Sequence, residues 1–242
     1  MQAVILAAGE GARLHPVTSF VPKPLLPLAG TPLLVRIVDK LRAVERLDKV
    51  DKILVCVNAE FREQYEYHLK VYDRDVTVLD SPGPQGTAGE LLHAKPLLEE
   101  EFLLYYGDIW TDLDIGHLLG EWDDYTRPRA NVPPPLDPSL LGLMAVAQFL
   151  RVPKGIPSIL EKNFIKEIRE KPLLDIPNLC GVSVFNRRLL KYCAYGKDLN
   201  GECLPKALAA GERLYAFPFK EGYLDVGSVA DLREADARFR GK

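Results

Sequence analysis

Val4-Ile5-Leu6-Ala7-Ala8-Gly9-Glu10-Gly11-Ala12-Arg13-Leu14, with Pro22-Lys23-Pro24-Leu25-Leu26-Pro27-Leu28 close behind it, decides how the rest of the chain reads. An apolar run of strand length passes straight into a turn with glycines two apart, and a basic residue follows within one helical turn. Glycine tolerates positive φ and, lacking a Cβ, lets a ligand come close to the backbone. Successive N–H groups in such a turn converge on one concavity and form an anion nest. Arg13 adds a permanent fork of donors suited to phosphate oxygens, and Lys23 a compact point charge. These residues predict a polyphosphate site at the end of the first strand.

Other readings of a glycine turn fit less well. A dinucleotide-binding fingerprint needs a third glycine, G-x-G-x-x-G, and an acid about 20 residues later. Here Leu14 holds the third position, and Lys23 stands between prolines where the acid belongs. The phosphate loop that ends in Gly-Lys-Ser/Thr is absent. A plain strand-to-helix turn with an exposed arginine would explain Gly9 and Gly11 alone. It does not explain their spacing to Arg13 and to Pro22-Lys23-Pro24.

Working outward, Thr31-Pro32 reads as a cap and first residue of a helix running to about Glu45. Lys52 to Asn58 is apolar on both faces, as a buried parallel strand should be. A polar helix over 60–72 and a strand over 76–80 complete a strand–helix rhythm that predicts right-handed βαβ units and a doubly wound, mostly parallel, Rossmann-like α/β sheet. Thr87 reads as the cap of a helix that continues from Glu90 to about Glu101, kinked at Pro96. Phe102 to Tyr106 is a strand ending in Gly107-Asp108, and Asp112 and Asp114 read as caps for a helix from Ile115.

Five prolines within residues 126–138 predict an extended surface loop. It separates a first half, about 1–125, from a second, about 139–242, within a single domain spanning 1–242. The second half reads as a strand from Leu140 to Arg151, a hairpin over 160–169 with its tip near Lys162-Asn163, short helices over 186–194 and 204–210, and a strand over 214–219. Ser228 with Asp231 three residues on is a capping box for the last helix.

With 31 basic and 34 acidic residues, the formal net charge is −3, and no basic block or stripe marks a nucleic-acid or membrane surface. Phosphate binding must therefore be local. The N-terminal apolar run lacks a basic leader and breaks at Gly9, so no signal peptide is expected. Cys56, Cys180, Cys193 and Cys203 form no C-x-x-C pair, which points to reduced thiols in the cytoplasm and away from zinc.

The two opening motifs together, through Ala29-Gly30, resemble the signature of the sugar-1-phosphate nucleotidyltransferases. Ala12 departs from the usual G-x-G-T/S-R-L/M by lacking a hydroxyl. Further segments resemble the same family in the same order. Ser81-Pro82-Gly83-Pro84-Gln85-Gly86-Thr87-Ala88-Gly89 is similar to its base-holding G-T-A-G loop, notably in the guanylyltransferase branch. Gly107-Asp108 resembles a metal-binding Gly-Asp, and Glu170-Lys171-Pro172 the E-K-P element. Asn178 to Phe185 resembles N-A-G-(I/V)-x-x-F with the asparagine one place early, and Gly222 to Gly227 resembles G-Y-W-x-D-x-G without the tryptophan.

The resemblance implies a nucleotide site made by Leu6, Ala8, Gly9, Gly11, Arg13, Ser81, Pro84, Gly86 and Thr87. It implies a sugar-phosphate site in a smaller antiparallel lobe, with Glu170, Lys171 and Gly181, and a Mg²⁺ site at Asp108 and Asp225. Arg13, Lys23 and Lys171 are the implied catalytic cations. The implied reaction joins a nucleoside triphosphate to a sugar-1-phosphate and releases pyrophosphate. GTP with mannose-1-phosphate is favoured over thymidylyl or uridylyl transfer to glucose-1-phosphate, and transfer to a non-sugar phosphate such as phosphocholine ranks third. A catalytically silent regulatory subunit would need none of Arg13, Lys23, Asp108, Lys171 and Asp225. No C-terminal β-helix, nucleic-acid partner or membrane partner is expected, and a homo-oligomer is allowed.

Overall fold

The computed structural model describes residues 1–44, 52–82, 85–127, 137–152, 154–159 and 164–241. The chain opens with β1 (Gln2–Ala7), a two-residue ladder β2 (Pro27–Leu28) and β3 (Thr31–Pro32), then α1 (Leu33–Arg42). Next come β4 (Ile53–Asn58), α2 (Arg62–Val71), β5 (Thr77–Ser81), α3 (Gly86–Ala94), β6 (Glu101–Tyr106), β7 (Ile109–Thr111) and α4 (Ile115–Thr126). The second half supplies β8 (Leu140–Ala147), β9 (Leu150–Arg151), β10 (Ile156–Ile159), β11 (Ile165–Arg169), β12 (Leu173–Leu174) and β13 (Asn178–Asn186). It ends with α5 (Leu204–Ala209), β14 (Arg213–Phe219), β15 (Tyr223–Asp225) and α6 (Val229–Arg240).

Seven strands form one sheet in the order β14-β8-β13-β6-β1-β4-β5. β1 pairs parallel with both β4 and β6, and β4 with β5. β13 alone runs antiparallel, between β6 and β8. The sheet is thus mixed but mostly parallel, and both halves of the chain contribute to it. Small antiparallel ladders, β10 with β11 and β9 with β12, lie apart from it.

The side-chain period of two along β1 divides the core between the sheet's faces. Ala3, Ile5 and Ala7 join α1, α2 and α4 on one face, through residues such as Leu34, Tyr65 and Trp122. Val4 and Leu6 join α3 and α5 on the other, with Leu91, Cys203 and Leu204. Every residue of β1 is buried, which explains an apolar run where a half-exposed strand would alternate.

Several boundaries differ from the sequence reading. Pro32, whose ring has no hydrogen-bonding group, holds the cap position of α1 in place of Thr31, and both residues pair with Pro27 and Leu28. The expected helix end at Glu45 lies outside the described residues. α3 starts at Gly86 with Gln85 as its cap residue, so Thr87 is not the cap, and it ends at Ala94 rather than kinking through Pro96. Asp114 caps α4 as expected, accepting from the His117 N–H, whereas Asp112 pairs with Arg238. The Leu140–Arg151 strand is broken into β8 and β9. Residues 128–136 of the proline-rich loop, and the hairpin tip at Lys162-Asn163, lie outside the described residues.

Candidate active site

Ligand sites of open α/β sheets lie beyond the carboxyl ends of the parallel strands. β1 and β6 end side by side there, with Leu6 opposite Tyr106. Beyond β6 the chain turns through Gly107 and Asp108 into β7, where the Gly107 N–H donates to the Leu6 carbonyl at 2.8 Å. A Cβ on Gly107 would lie 2.9 Å from that carbonyl oxygen, so glycine is required. β15 then pairs antiparallel with β7, Asp225 opposite Ile109, and the Val226 N–H donates to the Asp108 carbonyl. Two carboxylates far apart in sequence are thereby set side by side.

Lys23 stands between them. Its Nζ is 2.6 Å from Asp108 and 3.3 Å from Asp225, and its side chain is only 8% exposed. A tight turn over Lys23–Leu25, with Pro24 in the second position, points the chain into this gap. Among the described residues no third Asp, Glu, His or Cys completes a metal cluster around the pair. Two carboxylates that are partly open to solvent and already bracket one cation suit a hard divalent ion such as Mg²⁺, which keeps several waters and takes few protein carboxylates.

The glycine turn closes the other side. Gly11 adopts φ +63°, a left-handed conformation natural to glycine, and its carbonyl accepts from the Thr18 hydroxyl at 2.9 Å. The Arg13 guanidinium lies 3.6 Å from Asp225 and is 71% exposed, free to meet a ligand. It also rests on Gly227, where a Cβ would approach to 2.7 Å. The resulting cleft of about 270 Å³ is lined by Leu6, Gly9, Gly11, Arg13, Lys23, Thr87 and Asp108 of the expected residues, with Asp225 paired to Lys23 and Arg13 beside it.

The loop at the start of α3 is held in place by a distant segment. Gly86 sits at φ +66°, with its would-be Cβ only 2.3 Å from the Lys197 carbonyl oxygen. The Ala88 N–H donates to that same oxygen, and the Gly196 N–H donates to the Gln85 carbonyl. The Thr87 hydroxyl donates to Asp198 and accepts from the Leu199 N–H at 2.7 Å. Thr87 is therefore a fastening for the loop as well as part of the cleft wall.

Other expected residues stand elsewhere. Ser81 is fully buried at the end of β5 and does not line the cleft, and Pro84 lies outside the described residues. Ala8 is buried, its N–H donating to Glu90. Gly181, at φ +75°, lies against Tyr106, where a Cβ would come to 3.1 Å from the tyrosine side chain. Glu170 and Lys171 are exposed and outside the cleft wall, Lys171 at φ +46°, a strained conformation for a residue with a side chain. The Asn178 side chain is consumed internally, donating to the carbonyls of Ala147, Phe149 and Ile176 and accepting from the Tyr223 hydroxyl.

Glu90, Tyr106 and Gly227 also line the cleft and had no assigned role from sequence. Glu90 is 5% exposed, and burial pushes its carboxyl up to about 7; the Ala8 N–H opposes that rise and the charge of Asp108 adds to it. An acid among Ala88, Gly89, Leu91 and Leu92 was the available signal. Tyr106 lines the cleft, with its buried hydroxyl beside that of Thr87. Gly227 seats the Arg13 guanidinium.

A glycine turn, a lysine and two adjoining carboxylates at the carboxyl edge of a doubly wound sheet define a protein suited to holding polyphosphate beside a divalent ion. The chain belongs to the nucleotidyl transferase family, whose model matches residues 2–241. It is 24% identical over 255 residues to a UTP–glucose-1-phosphate uridylyltransferase of Synechocystis sp., covering 97% of this chain and 62% of that one. It is 26% identical to a protein of Sulfolobus acidocaldarius provisionally named a mannose-1-phosphate guanyltransferase, covering 96% and 61%. The fold matches that of HddC from Yersinia pseudotuberculosis with a TM-score of 0.72 at 22% identity, over 98% of this chain and 99% of that one. The chain spans less than two thirds of the length of these two curated relatives.

Proposed function

We propose that this chain is a Mg²⁺-dependent nucleotidyltransferase that condenses a nucleoside triphosphate with a sugar-1-phosphate, releasing pyrophosphate. The observation that carries the reading is the Lys23 ammonium lodged between Asp108 and Asp225 at the mouth of the glycine turn. Two polyanions repel, so the work of such a site is positioning and charge neutralisation. The nucleophile, a phosphate oxygen, is already an anion and needs no side-chain base.

Arg13 and the Gly9–Gly11 amides serve the β- and γ-phosphates, where leaving-group charge grows. Lys23 serves the α-phosphate, and Lys171 with Glu170 the sugar phosphate and its hydroxyls. Gly86 and Thr87 border the nucleobase. Asp108 and Asp225 are the residues that would hold Mg²⁺, which when bound neutralises phosphate charge between the two substrates.

GTP with mannose-1-phosphate is the favoured pair, supported by the Gly86-Thr87-Ala88-Gly89 loop and by the Sulfolobus relative. The Synechocystis relative supports uridylyl transfer to glucose-1-phosphate as the second reading. All four cysteines are free thiols, in keeping with a cytoplasmic enzyme. Among the described residues no helix is long and apolar enough to cross a membrane. The test is a pyrophosphate-release screen of five nucleoside triphosphates against a panel of sugar-1-phosphates. Turnover with one pair in Mg²⁺ supports the reading, and turnover with none refutes it.

A further inference from the structure

The peptide group joining Ala7 to Ala8, the last one before the glycine turn, is gripped at both ends by buried side chains. The Tyr65 hydroxyl from α2 donates to the Ala7 carbonyl at 2.7 Å. The Glu90 carboxylate from α3 accepts from the Ala8 N–H at 3.1 Å. Tyr65 is fully buried and Glu90 nearly so. The two helices lie on opposite faces of the sheet, so the plane of this one peptide is set from both layers of the fold.

A carboxyl group is an odd choice for the floor of an anion-binding cleft, since its charged form repels the ligand and is costly to bury. Its presence there calls for a compensating role, and the amide it accepts from lies one residue before Gly9. Glu90 also follows, within one turn of α3, Thr87 and Ala88, which are fastened to the 197–199 segment. A single strut therefore runs from that segment through α3 to the phosphate turn.

We propose that Glu90 and Tyr65 are positioning residues for the glycine turn, holding the Ala7–Ala8 peptide so that the Gly9–Gly11 amides are preset for a triphosphate. The inference rests on the reading of the turn as a phosphate site. Neither residue touches the reacting atoms.

The test uses the full chain and its variants E90Q, E90L and Y65F. Isothermal calorimetry with inorganic tripolyphosphate and with GTP, both with MgCl₂, is combined with thermal melting. E90L and Y65F each leave a buried polar group without its partner and weaken tripolyphosphate binding about tenfold. E90Q keeps an acceptor oxygen for the Ala8 N–H and recovers affinity to within about twofold of the parent. The KM for the sugar-1-phosphate found in the screen moves less than about twofold, which a general loosening of the fold would not respect. If E90L does not fold, Y65F, which deletes one hydroxyl, decides alone. Unchanged tripolyphosphate affinity in the folded variants, whatever their melting points, overturns the positioning role. A parent protein that binds neither tripolyphosphate nor GTP overturns the phosphate reading itself.

Discussion

The ammonium of Lys23 lies 2.6 Å from the carboxylate of Asp108, almost wholly buried, in the space where the second carboxylate, Asp225, also points. Lys23 thus acts as an internal counter-ion that keeps two acids tolerable side by side. Removing it leaves like charges facing each other. In the variant K23M, the melting point in EDTA should fall by the equivalent of about 1–2 kcal/mol, less than for a fully buried pair because both acids reach solvent. Added Mg²⁺ should restore stability more in K23M than in the parent, since the ion supplies the missing charge. Melting curves of both proteins with and without Mg²⁺ check this, and equal Mg²⁺ responses would count against it.

Glu90 gives a pH signature. Its folded-state carboxyl titrates at about 7 against an ordinary value of 4.5, chiefly from burial. A raised folded value means that the folded state binds more protons than the unfolded state between those two pH values. Stability from this group is therefore fully present below about 4.5 and is lost as pH rises through about 7, by roughly 3 kcal/mol. Glutamine does not titrate. The melting point of E90Q minus that of the parent should grow from pH 5 to pH 8; a flat difference would contradict the shift.

Gly227 makes the Arg13 position testable without deleting Arg13. A Cβ at 227 would fall 2.7 Å from Nη2 and 2.9 Å from Cζ, so G227A must push the guanidinium aside. R13A should raise the barrier by about 2–4 kcal/mol, as for other lost preorganised donors. G227A should give a smaller loss in the same direction, and the double variant should resemble R13A alone because both changes act through one group. Steady-state kcat/KM for the triphosphate, measured across the cycle, reports this. Additive losses would disconnect the two residues.

Gly86 should tolerate no side chain. Its φ of +66° and the 2.3 Å approach of its would-be Cβ to the Lys197 carbonyl combine backbone strain with a clash against backbone. G86A should cost about 2 kcal/mol or more, seen in chemical denaturation, and should raise the KM for the triphosphate. T87V, which loses the bonds to Asp198 and Leu199 but keeps shape, should cost about 1–2 kcal/mol.

The strand–helix alternation up to Asp108 was legible because each βαβ unit writes its own apolar run, turn and helix face into contiguous sequence. The glycine turn with Arg13 and Lys23 was legible for the same reason: its chemistry is local. What escaped is non-local. Nothing near β13 in sequence says that it runs antiparallel between β6 and β8. The pairing of Asp225 with Asp108 depends on three-residue strands, too short to leave a period, and came only from the family resemblance. Thr87 looked like a helix cap because its partners, Asp198 and Leu199, are more than 100 residues away. Glu90 carried no assigned role, since one carboxylate on a helix usually marks its wet face.

On the proposed function, Asp108 and Asp225 jointly serve a divalent ion beside the phosphate turn. The direct measurement is Mg²⁺-dependent pyrophosphate release by the parent, D108N and D225N, each confirmed folded by its melting curve. Each variant should lose most of the turnover of the parent while staying folded. Near-parental turnover in both would contradict the claim.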